Sequence, residues 1–388
     1  MDNIKFLPFA VPDISEEDIA SVVDAMRSGW ITTGAKTQEF EQKFASYLGG
    51  DVDAISVNSA TAGLHLALEA CGIGANDEVL VPTLTFTATA EVVCYLGATP
   101  IFVDCDPTTL NIDIEQIESK ITSRTRAIIP VHFGGLPCDM ERILAIAKRY
   151  DLRVIEDAAH TLPSKINNVL IGQHASDAIV YSFYATKTIT TGEGGMLVTK
   201  NPEIARRCRV MRLHGINRDA FDRYTSTTPA WYYEIVAPGY KYNLTDIASS
   251  LGISQLSRVD VFHQKRLKMA VRYMDELQWL PIQLPPNVKN QLTDMHSWHL
   301  FVINILAQTG ISRNQFIQKM SEAKIGTSVH FIPLHMQPYW KNQYNLQEHD
   351  FPHATQYYLT TVSLPLYTKM TEDDQSRVIN TIKNILVK

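Results

Sequence analysis

Lys187 ends the segment Ile179-Val180-Tyr181-Ser182-Phe183-Tyr184-Ala185-Thr186-Lys187, which begins as an apolar run typical of a buried strand. A lysine at the end of such a strand loses hydration, and this loss lowers the pKa of its amine. A neutral amine attacks carbonyl carbons and forms imines with them. The segment therefore predicts a lysine that reacts with an aldehyde or a ketone.

A carboxylate follows a second apolar run, in Glu156-Asp157-Ala158-Ala159-His160. A charged Asp157 at this point needs a partner to stay ionised, although capping of a helix explains it equally well. Lys187 and the glycine-rich turn Gly192-Glu193-Gly194-Gly195 favour the first interpretation. An imine-forming amine and a carboxylate for the pyridinium nitrogen are what pyridoxal phosphate (PLP) requires of an enzyme.

Length, charge and cysteine content exclude several classes of protein. The 388 residues suffice for two domains, and a net charge of -6 argues against a nucleic-acid binder. The five cysteines are widely spaced without a CxxC pair, so we expect neither disulfides nor a metal site. Residues 1–8 lack a signal-peptide pattern, and no uncharged segment could span a bilayer. We therefore expect a cytoplasmic protein without membrane insertion.

The first two thirds of the chain predicts an α/β fold, because short apolar runs alternate with helix-spaced patterns. These runs are continuously apolar, which favours a mainly parallel sheet between two layers of helices. Ligands of such a sheet bind at the carboxyl ends of its strands. The seven predicted strands cover residues 52–57, 78–81, 100–103, 127–131, 153–155, 178–183 and 196–199.

The pattern changes beyond Gly239. Helical patterns at Leu244–Gln255 and Arg258–Leu277 precede a strand at His299–Ile303 and a helix at Ser312–Lys324. This order predicts a small α+β domain at the C-terminus. We place the large domain at residues 1–257 and the small domain at residues 258–388.

Other residues could hold the phosphate and the ring of PLP. The turn Asn58-Ser59-Ala60-Thr61-Ala62-Gly63 should offer free N–H groups to an anion, although Ser59 and Thr61 could equally be ordinary helix caps. Ser182 could bind the same phosphate or be structural. Phe86 could stack on the ring or belong to the core. His132 could border the site or lie in the core with equal weight.

Together these motifs resemble the sugar aminotransferases, PLP-dependent enzymes of fold type I that act on nucleotide-linked keto-sugars. The resemblance covers essentially the whole chain. In the small domain, His296–Phe301 and Ile325–Phe331 are most similar to the arabinose-type branch, which acts on a UDP-linked sugar. The motifs that carry the resemblance are Ser28–Gly34, Asn58–Gly63, Val131–Gly135, Glu156–His160, Ser182–Lys187 and Pro238–Asp246.

The resemblance assigns roles to individual residues. It implies Lys187 as the Schiff-base lysine and proton shuttle and Asp157 as the partner of the pyridine nitrogen. His160 would lie near the phenolic oxygen of PLP. The other cofactor-binding residues would be Ala60, Thr61, Phe86, Ser182 and Asn243, and the substrate-binding residues would be Thr33, Lys241 and His330.

The resemblance also implies a reaction and a partner. L-Glutamate would give its amino group to the 4-keto group of a UDP-linked sugar and leave as 2-oxoglutarate, with pyridoxamine phosphate as the intermediate form of the cofactor. The product would serve cell-surface polysaccharide or lipid A modification. Asn243, with Lys241, would enter the neighbouring subunit's site and make a homodimer the minimal active unit.

Two segments depart from the pattern of many family members, and Phe86 departs from that of the arabinose-type branch. Many members have Gln at the position of His160 and Asn-Tyr-Arg at that of Lys241-Tyr242-Asn243. Phe86 stands where the arabinose-type branch has Trp, so we expect ring stacking to be kept in a pocket of different shape.

Two alternatives compete with the aminotransferase. A PLP-dependent sugar dehydratase of the same fold would carry histidine in place of Lys187. A non-catalytic regulator that binds PLP or a nucleotide sugar would have lost Lys187 or Asp157, or would carry a fused DNA-binding segment. The sequence keeps Lys187 and Asp157 and shows no DNA-binding segment.

Overall fold

The computed structural model describes residues 5–217 and 231–387. Its largest sheet has seven strands in the order β1-β9-β8-β5-β4-β2-β3, in which β9 runs antiparallel to both neighbours and the other pairs are parallel. This confirms the predicted α/β fold with a mainly parallel seven-stranded sheet. The strands are β1 Asp53–Val57, β2 Glu78–Pro82, β3 Thr99–Val103, β4 Thr125–Ile128, β5 Arg153–Asp157, β8 Ala178–Ser182 and β9 Gly195–Thr199, with a hairpin of β6 Lys165–Ile166 and β7 Val169–Leu170 between β5 and β8.

Helices cover the sheet, and several begin at a side chain that accepts a hydrogen bond from a free N–H group, such as Ser59, Thr245 and Ser312. The helices around the sheet are Glu16–Arg27, Ala35–Tyr47, Ala60–Ala70, Ala88–Tyr95, Ile114–Ile117, Met140–Tyr150, Pro202–Met211 and Asp246–Leu256. Beyond them lie Val259–Leu277, Arg313–Glu322, Pro338–Tyr344, Pro352–Thr360 and Glu372–Leu386.

The sheet is buried on both faces. On one face, helix Ala60–Ala70 packs against the strands through side chains such as Leu64 and Leu68. On the other face, Phe40 and Phe44 contact Phe183, with ring centroids 5.3 and 5.7 Å away. Burial on both sides explains why the strands read as continuously apolar runs.

A second sheet has the order β10-β11-β12, with β10 at Ile282–Gln283, β11 at Phe301–Ile305 and β12 at Thr361–Leu364. All its pairs are antiparallel, and helices Val259–Leu277, Arg313–Glu322 and Glu372–Leu386 pack on it. Leu7 near the N-terminus joins this core and pairs with Ile325. We propose, as from the sequence, that residues 258–388 form the small domain.

The first four residues lie outside the described part of the chain, so the expected lack of an export signal rests partly on residues that the structure does not describe. Within residues 5–217 and 231–387, no helix has the length and apolar character of a bilayer span.

Candidate active site

A cavity of about 470 Å³ opens where β1, β2, β5 and β8 end. Parallel strands present their carboxyl ends at one edge, so distant parts of the sequence meet there. The cavity brings together eight of the predicted site residues: Ala60, Thr61, Phe86, Asp157, His160, Ser182, Lys187 and His330.

Lys187 lies in the loop between β8 and β9, and its side chain is partly exposed to the cavity. The loop is closed by hydrogen bonds from Phe183 N–H to Gly194 O and from Lys187 N–H to Tyr184 O, both 2.9 Å long. Burial lowers the pKa of the Lys187 amine to about 8, although Asp157 opposes the change. The amine is therefore partly neutral near neutral pH, as imine formation requires.

Asp157 is the last residue of β5 and is 6% exposed. Its Oδ2 accepts a hydrogen bond from Thr89 Oγ1 over 2.9 Å, and its Oδ1 accepts one from Ala159 N–H over 3.1 Å. Burial raises the pKa of Asp157, and these hydrogen bonds only partly offset that effect. The chain turns after Asp157 and does not begin a helix, so the helix-cap interpretation of Asp157 is wrong.

His160 follows Asp157 in the chain, and its ring is buried. Burial lowers the pKa of His160 well below its ordinary value, and the positive charge of Lys187 adds to this. Gly134 N–H donates to Nδ1 of His160 over 3.2 Å. Because a neutral imidazole carries one proton, that proton sits on Nε2, which can donate to an oxygen in the cavity.

Helix Ala60–Ala70 points its N-terminus into the cavity, where Ser59, Ala60 and Thr61 form part of the lining. The free N–H groups of a helix N-terminus favour an anion. The Ser59 hydroxyl accepts from Ala62 N–H over 3.1 Å, so the capping interpretation is right for Ser59, whereas Thr61 lies within the helix. Phe86 is 59% exposed at the cavity and is not a core residue.

Gly195 lets β9 pass close to this helix. A Cβ at Gly195 would lie 2.8 Å from both Ala60 N and Tyr181 O. Backbone atoms cannot yield as a flexible side chain does, so only glycine fits at Gly195.

His330 reaches the cavity from the second part of the chain. Its Nδ1 is 2.9 Å from Ser363 Oγ, and Tyr357 donates to its carbonyl oxygen over 2.9 Å. Burial lowers the pKa of His330 to about 4, with a further contribution from Lys187.

Three predicted site residues lie elsewhere within the single chain. Thr33 and Asn243 line a separate recess, and Lys241 is exposed beside it. Asn243 Nδ2 donates to Thr33 Oγ1 over 2.6 Å, and Lys241 Nζ donates to Asn243 Oδ1 over 2.5 Å. The entry of Asn243 and Lys241 into a neighbouring subunit's site and the substrate-binding role of Thr33 stay predictions.

Three residues outside the predicted set contact the site residues. Thr89 bonds to Asp157, His299 packs on His160, and Phe331 packs on both His160 and Phe86. Phe331 and His299 lie in the two small-domain motifs, but no spacing rule connects them to Asp157. Thr89 follows Phe86 closely in the sequence, on the next helix, and this closeness could have identified it as a site residue.

His132 belongs to the core and not to the cavity lining. Its Nε2 lies 2.8 Å from Glu156 Oε2, and its Nδ1 accepts from Cys138 N–H over 2.9 Å. Burial opposes ionisation of Glu156, but the hydrogen bonds from His132 and Ser176 outweigh it and lower the pKa of Glu156. Among the described residues, no cluster of His, Cys, Asp and Glu could hold a metal ion.

The cavity fits PLP on its own chemistry. Asp157 is a buried carboxylate of raised pKa, which a cationic ring nitrogen would stabilise as an anion. Lys187 offers an amine, and the helix that starts at Ala60 offers N–H groups to a phosphate.

Comparisons with known proteins agree with this chemistry. The sequence model described as the DegT/DnrJ/EryC1/StrS aminotransferase family matches residues 12–383. The chain is 48% identical over 382 residues to the uncharacterized protein MJ1066 of Methanocaldococcus jannaschii, with 98% of each chain covered. It is 45% identical over 383 residues to the spore coat polysaccharide biosynthesis protein SpsC of Bacillus subtilis, covering 98% of this chain and 97% of SpsC.

A solved structure extends the agreement to the fold and the cofactor. Spr1654 of Streptococcus pneumoniae, assigned as a sugar aminotransferase, has been solved in a PMP form with a TM-score of 0.90 and 34% identity, covering 98% of each chain. Its PLP form gives a TM-score of 0.89 at 33% identity, again over 98% of each chain. The chain therefore belongs to the DegT/DnrJ/EryC1/StrS family of sugar aminotransferases, and its cofactor is pyridoxal phosphate.

Proposed function

We propose that the protein transfers an amino group from L-glutamate to the 4-keto group of a UDP-linked sugar. One observation carries this proposal: Lys187 and Asp157 face one cavity from the ends of the neighbouring strands β8 and β5, and each influences the pKa of the other. An amine of lowered pKa and a buried carboxylate are the two groups that transamination with PLP needs.

PLP, when bound, supplies the aldehyde that takes up an amino group and a ring that stabilises negative charge on the neighbouring carbon. Lys187 would hold the cofactor and would then move a proton between the substrate carbon that bears the nitrogen and the C4′ carbon of the cofactor. Asp157 stays ionised beside the ring nitrogen, oriented by Thr89 and Ala159 N–H. Neutral His160 donates from Nε2 to the phenolic oxygen.

The remaining cofactor contacts follow from the shape of the cavity. Ala60, Thr61 and Ser182 bind the phosphate, where a helix N-terminus favours an anion. Phe86 lies exposed at the cavity and offers its ring face to the pyridine ring. His330, which also lines the cavity, contacts the sugar.

The space beside the cavity supports a large substrate. A second recess of about 800 Å³ adjoins it and shares Thr85, Phe86 and Phe331 with it. The cavity of about 470 Å³ must hold PLP as well as the reacting sugar, so a nucleotide attached to that sugar would extend into the adjoining recess.

We further infer a homodimer in which Asn243 and Lys241 complete the partner's site, with Thr33 holding Asn243 in place. Asn243 lies outside its own chain's cavity, which supports delivery to another copy. Nearby, Trp231, Ile235 and Val236 are 76%, 67% and 56% exposed. An exposed apolar run of this kind favours an interface.

The pathway is part of the same proposal. SpsC is named for spore coat polysaccharide biosynthesis, and we propose that the product here likewise supplies a cell-surface polysaccharide or a lipid A modification, made in the cytoplasm.

Absorbance spectroscopy tests the proposal. The purified protein, loaded with PLP, should lose its long-wavelength band on addition of glutamate and regain it with one member of a panel of UDP- and dTDP-linked 4-keto sugars. Recovery with no nucleotide sugar, but with a free keto-sugar or a 2-oxo acid other than 2-oxoglutarate, would contradict the assigned acceptor. A protein that never shows the band would support the non-catalytic alternative.

A further inference from the structure

Residues 296–300, which we call the clasp, link the second sheet to the loop after β4. Ser297 N–H donates to Gly135 O over 3.2 Å, and Leu300 N–H donates to Gly134 O over 3.1 Å. Ser297 Oγ donates to the backbone carbonyl of His160 over 2.5 Å. The clasp therefore contacts both His160 and the glycine whose N–H bonds to the His160 ring.

Arg266 holds the clasp from its other side. It is 3% exposed, and its Nη1 donates to the carbonyl oxygens of Trp298, His299 and Leu366 over 3.2, 3.3 and 3.0 Å. Burial lowers the pKa of Arg266 to about 10. Its Nη1 hydrogen bonds to these carbonyls join the clasp to the loop that contains Leu366.

The backbone of the clasp depends on that support. Trp298 adopts φ +53°, a left-handed conformation that bulky residues rarely take. Its N–H donates to His296 Nδ1 over 2.8 Å, and its carbonyl accepts from Arg266. The two hydrogen bonds fix the turn that aims the next residue, His299, at the cavity.

His299 is the clasp residue that lines the cavity. Its ring lies against His160, with centroids 4.4 Å apart and planes inclined by 37°. Burial lowers the pKa of both imidazoles well below the ordinary value, so neither ring repels the other as a cation. The buried Nδ1 of His299 has no hydrogen-bond partner among the described residues, which indicates that hydrogen bonding through Nδ1 does not hold the ring there.

His160 needs such a neighbour. Among residues 5–217 and 231–387, its ring has one hydrogen bond, the 3.2 Å contact from Gly134 N–H, so its orientation also depends on the rings that pack against it. Phe331 is 6.1 Å away, so His299 makes the closer ring contact. We propose that His299 is a positioning residue for His160, whose packing keeps Nε2–H of His160 directed at the phenolic oxygen of PLP.

This inference rests on the proposed role of His160, and cofactor affinity tests it without relying on turnover. We would measure PLP binding to the cofactor-free protein by quenching of tryptophan fluorescence, for His299→Leu, His299→Asn and His299→Phe. Leu and Asn remove the ring, and we expect each to weaken binding about threefold to tenfold. Phe keeps a ring of similar size and should bind within about twofold of wild type. Equal losses for Phe and Leu would overturn the proposal.

A double-mutant cycle separates positioning from direct contact. In a His160→Gln background the effect of His299→Leu should fall below about twofold, because the residue through which it acts is gone. A full effect in that background would mean that His299 contacts the cofactor itself, and the proposal would be wrong. Circular dichroism and thermal unfolding check the fold, and His299→Asn carries the comparison where the leucine variant does not fold.

The pH at which the bound cofactor's absorbance changes gives a second readout. That midpoint should shift in His299→Leu and should stay at the wild-type pH in His299→Phe. A purely structural role of His299 would leave the midpoint unchanged in both variants. Failure of the proposed function looks different: wild-type protein would bind PLP, and the variants would rank as above, but no nucleotide sugar would be aminated.

Discussion

Thr89 Oγ1 donates to Asp157 Oδ2 over 2.9 Å and is itself 2.8 Å from Thr85 Oγ1. A hydroxyl has one proton, so Thr85 must be the donor to Thr89. The Asp157 carboxylate, proposed above as the partner of the PLP ring nitrogen, is thus held by a relay of two threonines that begins beside Phe86.

Replacing Thr89 by Val should leave Asp157 with one hydrogen bond fewer in a buried site. A hydrogen bond to a charged group contributes about 1.5–3 kcal/mol, so we expect kcat/KM to fall about tenfold or more. Steady-state kinetics at saturating PLP measure the loss. Thr360→Val, which removes a hydroxyl near Asn304, is the matched control and should keep wild-type activity. Unchanged kcat/KM for Thr89→Val would show that the relay is not needed.

Lys187→Ala should lower the rate of transamination by more than about a thousandfold, because it removes both the imine-forming amine and the proton carrier. The fold should persist, because burial disfavours the positive charge of Lys187 that the substitution removes. Single-turnover absorbance changes with glutamate measure the rate, and thermal unfolding checks the fold. Lys200→Ala removes an exposed lysine near Asp51 and should retain full activity. Normal turnover by Lys187→Ala would refute the assignment.

Gly195→Ala should weaken PLP binding about tenfold or more, because its methyl group would press on Ala60 N and Tyr181 O and displace the phosphate-binding turn. Equilibrium dialysis of the cofactor-free protein measures the affinity. Gly74→Ala is the matched control, since a methyl group there meets no atom within 4 Å. Equal affinities for both variants would place the phosphate elsewhere.

Mixing two inactive variants tests the shared site. If Asn243 completes the partner's site, a mixed dimer of Lys187→Ala and Asn243→Ala chains has one intact site. Random mixing in equal amounts should then restore about a quarter of wild-type activity, since half of the dimers are mixed and each has one working site. Activity is assayed after refolding the mixture. No recovery, with dimers present by light scattering, would place Asn243 in its own chain's site.

Acid should destabilise the protein through His296. Burial lowers its pKa to about 3, whereas the unfolded chain takes up the proton near its ordinary value of 6.5. The unfolded state thus binds more protons between pH 6.5 and 3, and His296 contributes a loss of about 1.4 kcal/mol per pH unit as pH falls through that window. Urea unfolding of cofactor-free protein at pH 7 and 5.5 should show a smaller loss for His296→Asn. Equal losses of stability in the wild type and in His296→Asn would contradict this role of His296.

The strands were predictable because burial on both faces leaves unbroken apolar runs such as Ile179–Phe183. Asp157 and Lys187 were predictable because each follows such a run. The second sheet was only partly foreseen: β11 was predicted near Ile303, whereas β10 is two residues long and β12 follows directly on helix Pro352–Thr360. No local pattern separates so short a strand from a loop.

The contacts that orient the site were harder to foresee. Arg266 reads as a surface residue on an amphipathic helix, because arginine is seldom buried. Only the fold brings it to the carbonyls of residues 298, 299 and 366. The predicted entry of Asn243 into another copy's site came from the resemblance alone, because a contact between subunits leaves no trace in the spacing of one chain.

The connection between β5 and β8 separates two tasks. Asp157 lies at the start of this connection. Its pairing with Val180 sets the distance between β5 and β8, and this distance does not depend on the residues of the connection. The β6–β7 hairpin within it instead contacts the second part of the chain, where Lys165 N–H donates to Met295 O and Asn168 N–H to Thr293 O. Insertions in this hairpin, which lines a separate recess with Asp139 and Asn290, would therefore leave the spacing of the acid and the amine constant.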